Sequence, residues 1–323
     1  MYLESEHIRQ PGPGEPPDEA ENNNEFNVRF FLPDDFATDG RPSAEKHLLI
    51  LTNGLGEFDE SMYVSTDGFC EEFRKQGVAS AFLPVPFHFG RLSNLDNAKI
   101  RSDLAAGKKR IHHPAVQKIL RHPERFRLGY EQLWSDIGTL TEKIVEKTAE
   151  GHFPKNLLIS LWGYSIGGLS ILSHFLTNPK SFHSCILVHS GANLENLGHN
   201  RLLFTREQWD YLKDFYRKGM HLKILPSLAR APELMFSMLF LGERRDDLLE
   251  LMKTHCCKIL LFVGAKDDVE NQEGIINSIV PGDHGLAIHV LPGLTHFIMR
   301  PAFRESWFEY EVQTITAFLN CHP

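Results

Sequence analysis

A serine flanked by glycines, in the pentapeptide Gly163-Tyr164-Ser165-Ile166-Gly167, is the pattern in this chain that most specifically indicates chemistry. An apolar run over residues 157–162 precedes it and predicts a buried strand, and the apolar segment after it predicts a helix. A serine at a sharp strand-to-helix turn has a strained backbone, and flanking glycines leave room for it. This context predicts that Ser165 is a nucleophile. The alternative is a glycine-rich turn that only packs a helix close to a strand.

A serine nucleophile requires a base to accept its proton and an acid to orient that base. Among the 17 histidines, His296 has the position expected of the base, because it follows the last predicted strand in a short loop. Asp267 and Asp268 follow the strand predicted over residues 258–263. We expect Asp267 to be the acid because it lies three residues after the glycine that ends this strand. Asp268 is the alternative, and helix N-capping is the other role for whichever residue is not the acid.

Two backbone amides are candidates for an oxyanion hole, which stabilises the negative charge that develops on a substrate carbonyl oxygen. Ile166 begins the helix after Ser165, and the amides and dipole at a helix N-terminus point toward that serine. Leu55 lies in a glycine-rich turn, residues 52–57, after the strand predicted over residues 47–51. Taken alone, this turn fits a loop without chemistry equally well. Beside the Ser165 turn, the Leu55 amide is the expected second donor.

Five residues near these turns are expected to contact the substrate. They are Asn53, Gly54, Tyr164, His88 and Arg91. Asn53 either braces its turn through the side-chain amide or only caps it. His88 and Arg91 belong to a Pro-rich segment, residues 84–91, and would read a polar or anionic substrate group. A structural turn is the favoured alternative for this segment.

The elements that must position these residues alternate along the chain between apolar strands and amphipathic helices. Near-continuous apolar strands are typical of a parallel sheet that is buried on both faces. The sequence therefore predicts an α/β fold with a mostly parallel sheet flanked by helices. Strands are predicted over residues 27–32, 47–51, 78–83, 157–162, 185–189, 258–263 and 286–291, and helices over residues 68–76, 130–147 and 303–319. A long charged insertion, residues 91–127, has helical pieces but no clear core face.

The chain divides into three predicted regions. Residues 1–25 contain four prolines and a run of three asparagines, and we expect a disordered tail because little there can offset the ordering entropy by burial. Residues 26–190 and 252–323 form the predicted α/β core. Residues 191–251 interrupt the alternation with aromatic and apolar side chains, which predicts a helical cap or lid inserted between two strands.

Composition and charge restrict the partners. A formal net charge of −8 without a long Lys/Arg run argues against nucleic acid. The chain lacks an uninterrupted apolar stretch of about 18 residues, so we expect no membrane-spanning helix. The polar N-terminus lacks the apolar region of a secretory signal, and five cysteines without framework spacing favour the cytoplasm. The sequence does not indicate an oligomeric state.

Metal and cofactor motifs are absent from the sequence. Histidines within residues 112–122 and 283–289 do not have the spacing of a zinc site. Neither a G-x-x-x-x-G-K-[ST] nor a G-x-G-x-x-G phosphate loop occurs. We therefore expect a mechanism that uses no cofactor and no metal.

The nucleophile turn, the oxyanion turn, the acid and the base stand in the order and spacing of the α/β-hydrolase superfamily. The chain resembles that family from about residue 26 to the C-terminus, outside the insertions. The resemblance implies a catalytic triad of Ser165, Asp267 and His296, an oxyanion hole formed by the Leu55 and Ile166 amides, and a cap over the site formed by residues 191–251. The chain departs from many relatives at residues 84–91, where those have a short Gly-His-Gly-type turn.

The resemblance also implies a reaction class. Hydrolysis of a carboxylic ester or thioester through an acyl-enzyme is expected, as in carboxylesterases, lipases and thioesterases. The aromatic residues of the predicted cap favour a small-molecule substrate with an apolar acyl or aromatic group, although a cap's own core would have the same composition. Acyl transfer and C–C bond hydrolysis with the same triad are alternatives, as is a non-catalytic binding protein with this fold. Epoxide hydrolase and dehalogenase chemistry is disfavoured because those relatives have Asp at the position of Ser165.

Overall fold

A seven-stranded sheet organises the described part of the chain in the computed structural model. That part comprises residues 1–4, 16–36, 45–54, 60–88, 91–107, 114–190, 205–219, 259–264, 286–291 and 304–321. The strands are β1 (Tyr2–Glu4), β2 (Glu25–Asn27), β3 (Arg29–Phe31), β4 (Lys46–Thr52), β5 (Ala79–Phe82), β6 (Leu157–Tyr164), β7 (Ser184–Val188), β8 (Ile259–Gly264) and β9 (Leu286–Leu291).

The order across the large sheet is β3-β5-β4-β6-β7-β8-β9, and β3 pairs with β5 in the antiparallel sense. The other five pairings are parallel, so their carboxyl ends lie at one edge of the sheet. The described residues of β5, β7 and β8 are buried along their whole length, as expected for a parallel sheet covered on both faces. Strands β1 and β2 form a separate antiparallel pair.

Helices lie on both faces of the sheet and complete two apolar cores. Helices α5 and α6 contribute to the larger core, whereas α2 and α8 contribute to the core on the opposite face. The helices are α1 (Asp18–Asn24), α2 (Glu60–Lys75), α3 (Asn94–Ala105), α4 (Pro114–Arg121), α5 (Pro123–Ala149), α6 (Ile166–Thr177), α7 (Arg206–Gly219) and α8 (Arg304–Asn320), with a short 3-10 helix at Pro179–Ser181.

The observed elements confirm the predicted fold class, an α/β fold with a mostly parallel sheet between helices. Two helices are longer than their apolar spacing indicated. α2 begins at Glu60 instead of residue 68, and α5 begins at Pro123 instead of residue 130. The charged insertion, residues 91–127, was predicted to have no clear core face. It does bury side chains, since Leu92 packs with Ile100 of α3. Within the described ranges, no helix combines the length and apolar character needed to cross a bilayer.

The prediction of a disordered N-terminal tail is corrected for residues 1–4 and 16–25. Strand β1 pairs with β2, and the Met1 ammonium group donates a hydrogen bond to the Val28 carbonyl oxygen at 2.8 Å. Leu3 is 1% exposed and Asn23 is fully buried. Strand pairing and the burial of Leu3 and Asn23 offset the ordering entropy. Composition alone predicted that this entropy would keep the segment disordered. Residues 5–15 lie outside the described part of the chain.

The predicted cap is described only at residues 205–219, which are largely the helix α7. Its N-terminus is capped reciprocally: Thr205 N–H donates to Gln208 Oε1 at 2.8 Å, and Gln208 N–H donates to Thr205 Oγ1 at 3.3 Å. Trp209 and Leu212 of α7 are buried and belong to the larger core. The assignment of residues 191–251 to a cap stays a prediction, and the rest of that region lies outside the described residues.

Glu311 of α8 is a buried carboxyl group, with 1% of its surface exposed. Its Oε1 has no hydrogen-bond partner among the described residues. Burial favours the neutral acid and raises the pKa of Glu311 to about 8, from an ordinary value of 4.5. The folded state therefore holds this proton more tightly than the unfolded chain does.

Replacement of Glu311 by Gln is expected to remove a pH dependence of stability. Between pH 4.5 and about 8, the free energy of unfolding of the native protein should fall as the pH rises. The expected slope is at most about 1.4 kcal/mol per pH unit. Glu311→Gln should abolish this component, so its advantage in urea denaturation should be absent at pH 4.5 and largest above pH 8. The exposed neighbour Glu309→Gln is the control, and equal slopes for all three proteins would contradict the expectation.

Candidate active site

Ser165 stands at the junction between β6 and α6 in a left-handed backbone conformation, with φ 53° and ψ −126°. Residues other than glycine rarely adopt a positive φ, because their Cβ atom then approaches the backbone too closely. The conformation is maintained by the surrounding structure. Ser165 N–H donates to the Val188 carbonyl oxygen of β7 at 3.0 Å, and the Ser165 carbonyl accepts from Leu169 N–H at 3.2 Å. This is the strained strand-to-helix turn that the sequence predicted.

Three glycines allow the first turn of α6 to approach the sheet closely. A Cβ atom on Gly163 would lie 2.6 Å from Gly168 Cα, which is closer than real Cβ contacts. A Cβ atom on Gly167 would collide with the Asn53 carbonyl oxygen, and one on Gly168 would collide with the Ser190 side chain. The glycines are therefore required by backbone packing around Ser165.

The turn after β4 lies directly against the nucleophile. A Cβ atom on Gly54 would lie 2.6 Å from Tyr164 Cδ1 and 3.2 Å from Ser165 Cβ. Ile166 is buried as the first residue of α6, where its amide has no carbonyl partner within the helix. The structure thus brings together Gly54, Tyr164, Ser165 and Ile166. Leu55, the expected second oxyanion donor, lies outside the described residues.

Asn53 uses both ends of its side-chain amide within the protein. Its Oδ1 accepts a hydrogen bond from Val85 N–H at 2.9 Å, and its Nδ2 donates to the Gly54 carbonyl oxygen at 2.9 Å. The residue is fully buried. These contacts correspond to the bracing role that was one of two considered for Asn53.

Arg91 and His88 have structural contacts instead of an accessible surface. Arg91 is fully buried, and its Nη1 lies 2.9 Å from Asp136 Oδ2. Burial lowers the pKa of Arg91 below its ordinary value, and the negative charge of Asp136 opposes this change. His88 is 1% exposed, and its Nδ1 lies 2.9 Å from the Pro86 carbonyl oxygen. Both residues therefore have the contacts of a structural turn. The prediction that they read a substrate group is corrected for Arg91, because its guanidinium has no exposed surface.

The predicted acid and base, Asp267 with its alternative Asp268 and His296, lie outside the described residues. The strands that precede them are described. β8 ends at Gly264 and β9 ends at Leu291, and these two residues are partners in the parallel register. Parallel pairing from β6 to β9 brings these strand ends to the same edge of the sheet as Ser165. The roles of these three residues remain predictions.

His189 is a residue near the site to which the sequence assigned no role. It directly follows β7, has a positive φ of 46° and is fully buried. Its ring centroid lies 6.1 Å from that of Tyr164, and its N–H donates to the Phe262 carbonyl oxygen at 2.9 Å. A polar residue at the carboxyl end of a parallel strand beside the nucleophile turn was the signal that could have identified it. Among the described residues, no group of three His, Cys, Asp or Glu side chains could hold a metal ion.

No family model and no curated protein matches the sequence. An S-formylglutathione hydrolase from Agrobacterium tumefaciens has a similar structure, with TM-score 0.53 and 13% identity over 99% of this chain and 94% of the other. The chain has the α/β-hydrolase fold.

Two further solved structures share this fold. A soluble variant of monoglyceride lipase from Saccharomyces cerevisiae, in complex with a substrate analogue, gives TM-score 0.52 and 14% identity over 92% of this chain and 91% of the other. Est1E from Butyrivibrio proteoclasticus, with bound ferulic acid, gives TM-score 0.50 and 14% identity over 91% of this chain and 94% of the other. At such identities the likeness concerns the α/β-hydrolase architecture alone.

Gly163→Ala is expected to disrupt the nucleophile turn, because its Cβ would meet backbone atoms that cannot move without displacing α6. We expect a loss of about 1–3 kcal/mol in the free energy of unfolding. The matched control is Gly138→Ala in the middle of α5, where a Cβ atom has nothing within 4 Å. That variant should gain about 0.5–1 kcal/mol from helix propensity. Guanidinium denaturation followed by circular dichroism measures both, and an unchanged midpoint for Gly163→Ala would refute the packing explanation.

Proposed function

We propose that this α/β-hydrolase is a serine hydrolase that cleaves a carboxylic ester or thioester through an acyl-enzyme on Ser165. The observation that carries the proposal is the conformation of Ser165, a positive-φ serine between a parallel strand and the N-terminus of α6. Strain of this kind persists only where the surrounding structure enforces it, and it is concentrated at functional sites. The three glycines around it maintain the turn with the room that a nucleophile elbow requires.

The proposed oxyanion hole combines the Ile166 amide with the Leu55 amide. Proximity of Gly54 to Ser165 supports it, since the turn after β4 reaches the nucleophile. Backbone amides that are already oriented stabilise a developing oxyanion without reorganisation, which lowers the barrier to acyl transfer.

In the proposed reaction, His296 accepts the proton of Ser165 Oγ–H while Oγ forms a bond to the substrate carbonyl carbon. The oxyanion amides stabilise the tetrahedral intermediate. Its collapse breaks the bond to the leaving alcohol or thiol, which receives the proton from His296. Water then attacks the acyl-enzyme by the same route, and Asp267 holds the imidazolium throughout. The acid is released and Ser165 regains its proton.

The proposed substrate is a small molecule with an apolar acyl or aromatic group. The monoglyceride lipase and the S-formylglutathione hydrolase named above show that this fold accommodates quite different substrates. The aromatic content of residues 191–251 is the reason for choosing an apolar group, and the buried Trp209 of α7 belongs to that region.

Ser165→Ala is expected to abolish covalent labelling by a fluorophosphonate and to lower turnover of p-nitrophenyl esters by at least about 10⁴-fold. The matched control is Ser173→Ala on the same helix, which removes a buried hydroxyl that donates to the Ser170 carbonyl oxygen at 2.7 Å. The control should label and turn over substrate like the native protein. Labelling of native protein and Ser165→Ala to the same extent would refute Ser165 as the nucleophile.

The same assay separates the acid candidates and the alternative reactions. Asp267→Asn should reduce kcat by about 10⁴-fold, as expected for loss of the acid that orients the base, whereas Asp268→Asn should not. Product analysis with an added alcohol or amine acceptor distinguishes hydrolysis from acyl transfer. Native protein that neither labels nor turns over any ester in the series would favour a binding protein over an enzyme.

A further inference from the structure

A buried hydrogen-bonded path leads from α5 to the turn beside Ser165. It starts at the Asp136 carboxylate, whose Oδ2 accepts from Arg91 Nη1 at 2.9 Å. Arg91 Nη1 also donates to the Pro84 carbonyl oxygen at 3.1 Å. Val85 N–H donates to Asn53 Oδ1, and Asn53 Nδ2 donates to the Gly54 carbonyl oxygen, both at 2.9 Å. We call this path the Arg91 relay.

One peptide group transmits orientation along the relay. The Pro84 carbonyl and the Val85 amide belong to one planar peptide group, which Arg91 holds at its oxygen and Asn53 holds at its nitrogen. A hydrogen bond that fixes the carbonyl of such a group also fixes the direction of its N–H, because the group is planar and trans.

The relay is shielded from water, which strengthens it. Arg91 and Asn53 are fully buried, and Asp136 is 2% exposed. Hydrogen bonds in a medium of low dielectric constant are stronger than in water, and a chain of them is cooperative. A buried guanidinium that lost these partners would be costly, so the geometry of the path is strongly specified.

The N-terminal segment holds the other side of the guanidinium. Arg91 Nη2 donates to the Asn23 carbonyl oxygen at 2.7 Å, and the Asn23 side chain donates from Nδ2 to the Arg91 carbonyl oxygen at 2.9 Å. Asn23 Oδ1 accepts from Phe87 N–H at 2.9 Å. The Phe26 ring lies under the guanidinium, with Arg91 Cζ 3.9 Å from the ring centroid. These contacts hold Nη1, Nη2 and one face of the guanidinium, whereas Arg91 Nε has no hydrogen-bond partner among the described residues.

We propose that the Arg91 relay positions Gly54 against Ser165, and that Arg91 and Asn53 are positioning residues for the reaction at Ser165. The inference rests on the proposed function, in which the residue after Gly54 supplies the second oxyanion donor. An oxyanion donor acts in the transition state more than in substrate binding, so a broken relay lowers kcat and leaves KM nearly unchanged.

Asn53→Asp is the sharpest test, because it keeps the shape of the side chain. An ionised carboxylate at this position still accepts from Val85 N–H but cannot donate to the Gly54 carbonyl oxygen. The protonated acid can donate again. Burial raises the pKa of a carboxyl group at this position, so the ionised form is reached at high pH, and there we expect kcat per labelled active site to fall by about 10–100-fold. We expect KM to change by less than about threefold. The kcat ratio of variant to native protein should rise toward one as the pH is lowered.

Arg91→Lys provides an independent test that does not depend on position 53. A lysine keeps the buried positive charge opposite Asp136, but its one ammonium group cannot reproduce the contacts of both Nη1, to Asp136 and Pro84, and Nη2, to Asn23. Its kcat per labelled site should also fall at constant KM, without the recovery at low pH. Counting sites by fluorophosphonate labelling at completion excludes misfolded protein from kcat for both variants.

Ser184→Ala is the matched control. It removes a buried hydrogen bond, from Ser184 Oγ to Ser160 Oγ at 2.8 Å, outside the relay. Ser160 lies about 16 Å along β6 from Ser165, so kcat per site should not change. If the native protein is active and both relay variants match this control, the relay proposal is overturned while the serine hydrolase remains. If the native protein neither labels nor turns over ester, the proposed function fails and the relay role fails with it.

Discussion

Close contact between the first turn of α6 and the ends of β4 and β6 is the constraint on which the rest of this structure depends. No Cβ atom fits at Gly163 or Gly167. The backbone of Ser165 therefore enters the left-handed region directly before the N-terminus of α6. Parallel pairing of β4 with β6 sets Thr52 opposite Gly163, so the turn after β4 reaches the same point. Sheet register and helix packing together determine the geometry of the candidate site.

The second constraint is a charge in the interior. A guanidinium removed from water is tolerated only when it is paired, and Arg91 binds one carboxylate and two main-chain carbonyl oxygens through Nη1 and Nη2. These partners come from three separated parts of the chain: α1, the segment after β5, and α5. The charge therefore ties the ends of these elements to each other as well as to the site, which an apolar residue of similar size would not do.

The sheet and the nucleophile turn were predictable because they depend on local patterns. Apolar runs specify buried strands, and the glycines around Ser165 specify the turn. The packing of the N-terminal segment was not predictable, because it depends on Asn23 meeting Arg91, and no spacing in the sequence reveals that pairing. For the same reason, Arg91 was predicted to contact the substrate. Charge and position were visible, but its partner Asp136 lies within an otherwise ordinary amphipathic helix.

The path around Arg91 also bears on how the chain folds as it is synthesised. Asn23 leaves the ribosome 68 residues before Arg91, and Arg91 precedes Asp136 by a further 45. Until α5 is synthesised, the guanidinium lacks its partner, the Asp136 carboxylate, and it stays hydrated. The N-terminal segment therefore docks only after elements that are translated much later. Its docking is a late event that follows synthesis of β3, β4, β5 and α5.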